Sequence, residues 1–421
     1  MSSFQIPYGR EYLTIQLPAH LHAHPIAPHE ASAAPDPLLA VNQALDSPVG
    51  GRSLADFAGV KSAAIAINDK TRPVPHKHLL PPLLHRLEAL GLPPAAIVLI
   101  IATGTHPPMP PEEFPAVLPA EIIERYPVLC HNAEDQASLV NLGETARSTP
   151  IWINRHFAQA DLRIVIGNIE PHQFQGFSGG VKSAAIGLGG RETVNRNHML
   201  MTDPDSKLGE YARNPARQDV EEIGRRIGIH FALNAVLNDK KEIVHMVAGE
   251  PSAVMEAGIP SAREICQVQV KGLYDLVIAS PGGHPKDINI YQAQKALAHA
   301  SLITRPGGEL IIVAACPEGI GSRSCEAWLE GVNSFDAVFE KFKRDGFRVG
   351  PHKAYQIARD ASRSQVQLVS QMPPEIVKKL LLSPAATLDA AIAHALARLP
   401  AKARVGVMTR ANVTIPVLGA L

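Results

Sequence analysis

Five short apolar runs, Ser62–Ile67, Ala96–Ala102, Leu162–Gly167, Tyr274–Ala279 and Glu309–Ala314, each stop at a polar loop and alternate with segments of helical periodicity. Runs of that length are too short to be typical helices, and without polar alternation they must be buried on both faces. Buried strands separated by helices build parallel sheets. The chain therefore reads as α/β, with two α/β domains, mostly parallel sheets and an active site expected in the inter-domain crevice. Between Ile223 and Pro281 the order loosens: Ile229–Leu237 and Glu242–Ala248 read as a strand pair, followed by a helix near Ser252–Val268. A boundary near Lys271 divides the 421 residues into an N-terminal domain, residues 1–270, and a C-terminal domain, residues 271–421. Both are ordinary sizes for a domain or a pair of subdomains. The second continues the same grammar, with helices at Pro374–Leu382 and Leu388–Leu399 and a last strand at Arg404–Met408. Pro18–Gly51 is rich in Pro, Ala and His and reads as an extended segment with one short helix around Leu38–Leu45. Its His20, His22, His24 and His29 read as solvated side chains before they read as metal ligands.

Charge and cysteine content exclude several classes of partner. Forty Lys and Arg balance forty Asp and Glu, so no net field draws the protein to nucleic acid or anionic lipid. A small molecule is the expected ligand. The four cysteines are widely spaced with no C-x-x-C pair, against a disulfide framework or a zinc knuckle. Residues Met1 to Pro18 lack the apolar core of a signal peptide, and the uncharged stretch Ala89–Pro111 has an apolar core of only strand length. A cytoplasmic protein with no membrane span is expected.

In open α/β sheets ligands bind beyond the carboxyl ends of the strands, and there this chain concentrates its chemistry. The loops are Asn68-Asp69-Lys70-Thr71-Arg72-Pro73, Thr103-Gly104-Thr105-His106-Pro107, Asn168-Ile169-Glu170-Pro171-His172 and Ser280–Asp287. His106 and His172 are loop histidines suited to moving protons near neutral pH. The densest stretch, Gly176-Phe177-Ser178-Gly179-Gly180-Val181-Lys182-Ser183, lets backbone approach an anion, and a helix starting there would present free N–H groups to a phosphate. It falls short of a nucleotide-binding P-loop because Val181 stands where the final glycine belongs. His198, in a helical stretch, reads by itself as a satisfied helix histidine.

In combination, Asp69-Lys70-Thr71-Arg72-Pro73, Ala102-Thr103-Gly104-Thr105-His106, Glu170-Pro171-His172, the glycine-rich run through Lys182, and Arg196-Asn197-His198 resemble the motifs of the nickel-dependent lactate racemase family in order and spacing. The resemblance runs from about Leu45 to Leu297 and more loosely to the C-terminus. It implies a racemase or epimerase that inverts C2 of a 2-hydroxy acid by proton-coupled hydride transfer, through a 2-keto acid. The implied cofactor is a nickel-pincer nucleotide, Ni(II) pyridinium-3,5-bisthiocarboxylic acid mononucleotide. By the resemblance His198 ligates the nickel, Lys182 can bond one pincer arm as a thioamide, and Asp69, Lys70, Thr71 and Arg72 line the cofactor pocket. His106 and His172 match the acid–base pair on opposite faces of the substrate, while Arg72, Gln292 and Lys295 match substrate-binding positions. The enzymes that make the pincer cofactor become implied partners. Two other readings remain open: a P-loop-like kinase or NTPase resting on Lys182-Ser183, and a non-catalytic nickel or cofactor carrier using the His-rich segment and His198.

Overall fold

The computed structural model describes residues 2–419. They divide into two compact units, one formed by Glu30–Ile265 and the other by the residues through His29 together with Cys266–Leu421. In the first unit six strands lie in the spatial order Ile243–Gly249, Phe231–Leu237, Leu162–Asn168, Ala63–Asn68, Ile97–Ala102, Val128–Cys130. All neighbours are parallel except the first pair, the expected hairpin. Numbered along the chain, the order is 6-5-4-1-2-3, a doubly wound sheet whose direction of winding reverses between Ala63–Asn68 and Leu162–Asn168. Chain leaves those two strands toward opposite sides, which opens a crevice at their carboxyl ends.

The side-chain period of two explains how each strand serves two cores. Ala63, Ile65 and Ile67 point into one apolar cluster with Leu99, Ile101 and Ile164. Ala64 and Ala66 point into the other with Ile100, Val165 and Ala184. The small residues on that second face let the glycine-rich segment lie close to the sheet: a Cβ added to Gly187 would stand 2.7 Å from the Cβ of Ala102. The expected helix after the glycines is a single turn, Lys182–Ala185. It is too short to offer a row of free N–H groups, so the phosphate-binding helix terminus is corrected to a turn that buries its lysine.

The second unit repeats the architecture with Ser383–Ala385, Gln365–Val369, Thr304–Val313, Tyr274–Ala279, Arg404–Met408 and His22–Pro25 in that spatial order, every pair parallel. The His-rich segment is thus an edge strand, with His22 opposite Arg404 and His24 opposite Gly406. The residues before it form an antiparallel hairpin, Ser2–Tyr8 with Glu11–Leu17. A domain running from residue 1 to residue 270 is therefore corrected at its start, because an exposed sheet edge gains backbone hydrogen bonds from any strand that covers it. At the other end, Arg404–Met408 is not the last strand: Ile415–Leu418 follows and pairs in parallel with Gln267–Val270. Among the described residues no helix is long and apolar enough to cross a membrane.

Candidate active site

The winding reversal of the first unit brings Asn68, Arg72, His106, Lys182 and His198 to the wall of one pocket. Asn68 ends its strand, and its buried Oδ1 has no hydrogen-bond partner. The next residue, Asp69, is 2 % exposed. One carboxylate oxygen of Asp69 accepts from the backbone N–H and hydroxyl of Thr71, at 3.2 and 2.7 Å, and the other lies 2.8 Å from Nδ1 of His106. Burial raises the Asp69 pKa, but the His106 and Thr71 hydrogen bonds and the Arg72 charge outweigh it and hold the group below its ordinary value. An ionised Asp69 accepts the Nδ1–H of His106, which leaves Nε2 as the lone-pair nitrogen of the neutral ring.

The glycine-rich segment is shaped by contacts that only glycine permits. Gly176 has φ +69°, and a Cβ there would lie 1.8 Å from the carbonyl oxygen of Glu210; Gly180 has φ +58° and would meet Met255 at 2.7 Å. Arg217, fully buried and paired with Glu221 at 2.6 Å, donates to the carbonyls of Phe177 and Gly179 at 3.0 and 3.1 Å. The N–H of Gly180 is taken by Oδ1 of Asn234 at 2.7 Å. Val181 packs on Gly224, where a Cβ would approach it to 2.5 Å. So clamped, the turn presents Lys182 from below. Burial, then the charges of Arg72 and Arg217, push the Lys182 ammonium well below its ordinary pKa against the opposing pull of Glu170. Desolvation shifts a lysine toward the amine form in which it is nucleophilic.

His172 sits in a two-residue strand pair with Gly176–Phe177, and its Nδ1 accepts the backbone N–H of Gln175 at 3.2 Å. The ring of Phe174 stands edge-on between His172 and His198, with centroids 4.8 and 5.0 Å away. His198 lies near the end of helix Arg191–Met199, its Nδ1 3.1 Å from Oδ1 of Asn197.

Most of the residues expected at the site converge there, with two changes of place. Arg72, His106, Lys182 and His198 share the pocket, and His172 adjoins it through Phe174. Asp69 and Thr71 bond to one another and to His106 and are not on the wall of that pocket. Lys70 is exposed, pairs with Glu113 at 2.5 Å and is not among the residues of the pocket wall. Gln292 and Lys295 belong to helix Ile290–Ser301 of the other unit, three residues apart and hence on one helix face. Sequence reasoning missed Asn234 and Arg217, and it named Asn68 within its loop without giving it a role. Asn68 directly precedes the Asp-Lys-Thr-Arg run and could have been read from its place at a strand end; nothing local marks Arg217, whose partners lie about forty residues away.

Two imidazoles, a desolvated amine and a guanidinium suit proton transfer and the binding of an anionic ligand. They do not suit the NTPase reading, since the glycine loop gives Gly180 N–H to Asn234 and the following helix is one turn long.

The profile of the lactate racemase N-terminal domain matches residues 8–209, and that of the lactate racemase C-terminal domain matches residues 269–415. A lactate racemase of Lactiplantibacillus plantarum is 30% identical over 97% of this chain and 98% of its own length. One from Thermoanaerobacterium thermosaccharolyticum is 29% identical over 93% of this chain and 94% of its own. The structure of the lactate racemase apoprotein from that organism superposes with a TM-score of 0.91 at 28% identity, over 99% of this chain and all of that one.

Proposed function

The chain belongs to the lactate racemase family and is an isomerase, and from that premise we propose that it inverts C2 of a 2-hydroxy acid, lactate or a close relative, by way of a 2-keto acid. The observation that carries the proposal is the grouping of the Asp69–His106 pair, the buried Lys182 and His198 in one pocket at the winding reversal.

The residues present fit a nickel-pincer nucleotide. Among the described residues no group of three or more His, Cys, Asp or Glu side chains could hold a metal ion. A nickel ion at His198 would therefore take most of its ligands from the cofactor. His198 donates its Nδ1–H to an amide oxygen, the arrangement that leaves Nε2 for a metal. Lys182 would bond or contact a pincer arm, and the unpartnered Oδ1 of Asn68 offers an acceptor to a donor group of the cofactor. When bound, the cofactor supplies a hydride acceptor, which avoids forming a carbanion beside the substrate carboxylate.

Everything else falls to the protein. We assign Arg72 to the substrate carboxylate, held by charge-assisted hydrogen bonds, and keep Gln292 and Lys295 as substrate-binding residues on the resemblance alone. Nε2 of His106 takes the hydroxyl proton of one enantiomer while the C2 hydrogen departs with its electron pair, and the C2–O bond becomes a carbonyl. His172 serves the opposite face, supplying the proton that regenerates the hydroxyl when the hydrogen returns to that side. Inversion needs one base on each side, and two histidines anchored on different loops provide them.

The test is chiral chromatography of single enantiomers from a panel of 2-hydroxy acids, using protein produced with the pincer-biosynthesis enzymes and cofactor-free protein as control. The opposite enantiomer should appear only in the loaded sample. His106→Ala and His172→Ala should keep bound nickel and lose at least about 100-fold in turnover. Normal racemisation by both variants, or bound nickel with no inversion of any substrate, would reject the assignment.

A further inference from the structure

Behind the Asn197 amide that His198 faces lies a buried polar chain that the chemistry above does not use. Asp219 is fully buried; its Oδ1 accepts the hydroxyl of Thr145 at 2.6 Å and its Oδ2 accepts Nδ2 of Asn197 at 2.9 Å. The second hydrogen of that amide goes to the carbonyl of Ala216 at 2.9 Å. Both partners of Nδ2 are pure acceptors, so the orientation of the Asn197 amide is fixed: its oxygen must face the other way. There it accepts Nε2–H of the buried Gln175 at 2.7 Å and lies 3.1 Å from Nδ1 of His198. An amide oxygen cannot donate, so the His198 bond requires Nδ1–H. Gln175 also gives its backbone N–H to Nδ1 of His172. Its one side-chain amide and one backbone amide thus touch the supports of both histidines.

We propose that Asn197, locked by Asp219 and Ala216, is the positioning residue that fixes the His198 ring with Nε2 as its lone-pair nitrogen, and that Gln175 ties this ring to the acid–base histidine His172. The proposal rests on the reading of His198 as the metal ligand. The buried carboxylate is what makes the lock one-way: turning the Asn197 amide over would bring its oxygen against Oδ2 of Asp219 and its NH₂ against the Nε2–H of Gln175.

Two readouts test it, neither of them turnover. In the cofactor-free protein, ¹⁵N chemical shifts of His198 at a pH where the ring is neutral should report the Nδ1–H form, and Asn197→Leu should move it toward the Nε2–H form. In the loaded protein, nickel loss to a chelator should quicken by about 10–100-fold in Asn197→Leu, the usual cost of losing an outer partner of a ligating histidine. Should that variant fail to fold, Gln175→Met leaves the Asn197–Asp219 bond and the backbone N–H on His172 intact, removes the amide donor to Oδ1 of Asn197, and should still quicken nickel loss, about tenfold or less. His198→Ala separates the layers. If it loses nickel while Asn197→Leu and Gln175→Met retain it as the unsubstituted protein does, the positioning role is overturned alone. If His198→Ala itself retains nickel, the reading beneath is overturned as well.

Discussion

At the scale of single residues, Asp69 fixes the His106 ring through Nδ1. Replacing it with Asn keeps the size but lets an NH₂ group face Nδ1, which favours the wrong tautomer. Asp69→Asn should lower kcat by about 100-fold or more while nickel content stays unchanged, as elemental analysis of the loaded variant beside its turnover would register. Because its pKa is held below the ordinary value, Asp69 contributes stability that is fully present above about pH 4 and is lost as pH falls through the folded value. Asp69→Asn should therefore flatten the acid limb of the stability curve. Residue types were legible from the chain alone: loop histidines after strands and a lysine after glycines announce acid–base and nucleophilic chemistry. Their pairing was not, since Asp69 and His106 come from loops 37 residues apart and only the parallel register of their strands brings them within 2.8 Å.

At the scale of elements, the glycine-rich turn depends on a helix that sequence reading did not connect with it. Helix Pro215–Ile227 supplies both Arg217, which holds the turn by two carbonyls, and Gly224, on which Val181 rests. Gly224→Ala should destabilise the protein by about 1–3 kcal/mol through overpacking, and Val181→Ala in the same chain should restore part of that loss. Urea titration of the two single variants and the double variant measures the coupling. Arg217→Leu leaves Glu221 buried without its 2.6 Å partner and should cost about 3–5 kcal/mol, well beyond an exposed arginine replaced on the same helix. The one-turn helix Lys182–Ala185 makes the same point: glycine, valine and lysine in that order read as a helix start, whereas the helix ends after one turn and Gly187 then lies close against Ala102.

Over the whole molecule, several histidines are structural and make the fold sensitive to acid. Burial lowers His76, His131 and His299 from 6.5 to about 4, and burial with the Lys353 charge lowers His352 to about 3. A folded pKa below the unfolded one means that the unfolded chain binds protons first, so stability is full above about pH 6.5 and falls as pH drops toward 4. Each such histidine forgoes up to about 3 kcal/mol across that window. The melting temperature should fall steeply between pH 6.5 and 4.5, and a flat profile there would contradict the buried neutral rings. The hairpin and edge strand at the start of the chain belong to the unit of Cys266–Leu421. There the backbone N–H of Gly9 meets the buried Asp287 at 2.6 Å. Deleting residues 1–29 should lower the calorimetric transition of that unit and leave the Glu30–Ile265 transition in place.

The sequence by itself determined the α/β class, the central strands of both sheets and the loops that carry the polar side chains, because burial on both faces and loop chemistry are written locally in runs of a few residues. Tertiary structure alone decided which unit the first 29 residues join, which helix clamps the glycine turn, and which distant side chains hold the Asn197 amide beside His198. Those outcomes rest on partners tens to hundreds of residues distant, chosen by strand order and by the space that small side chains leave, and no local pattern carries that information.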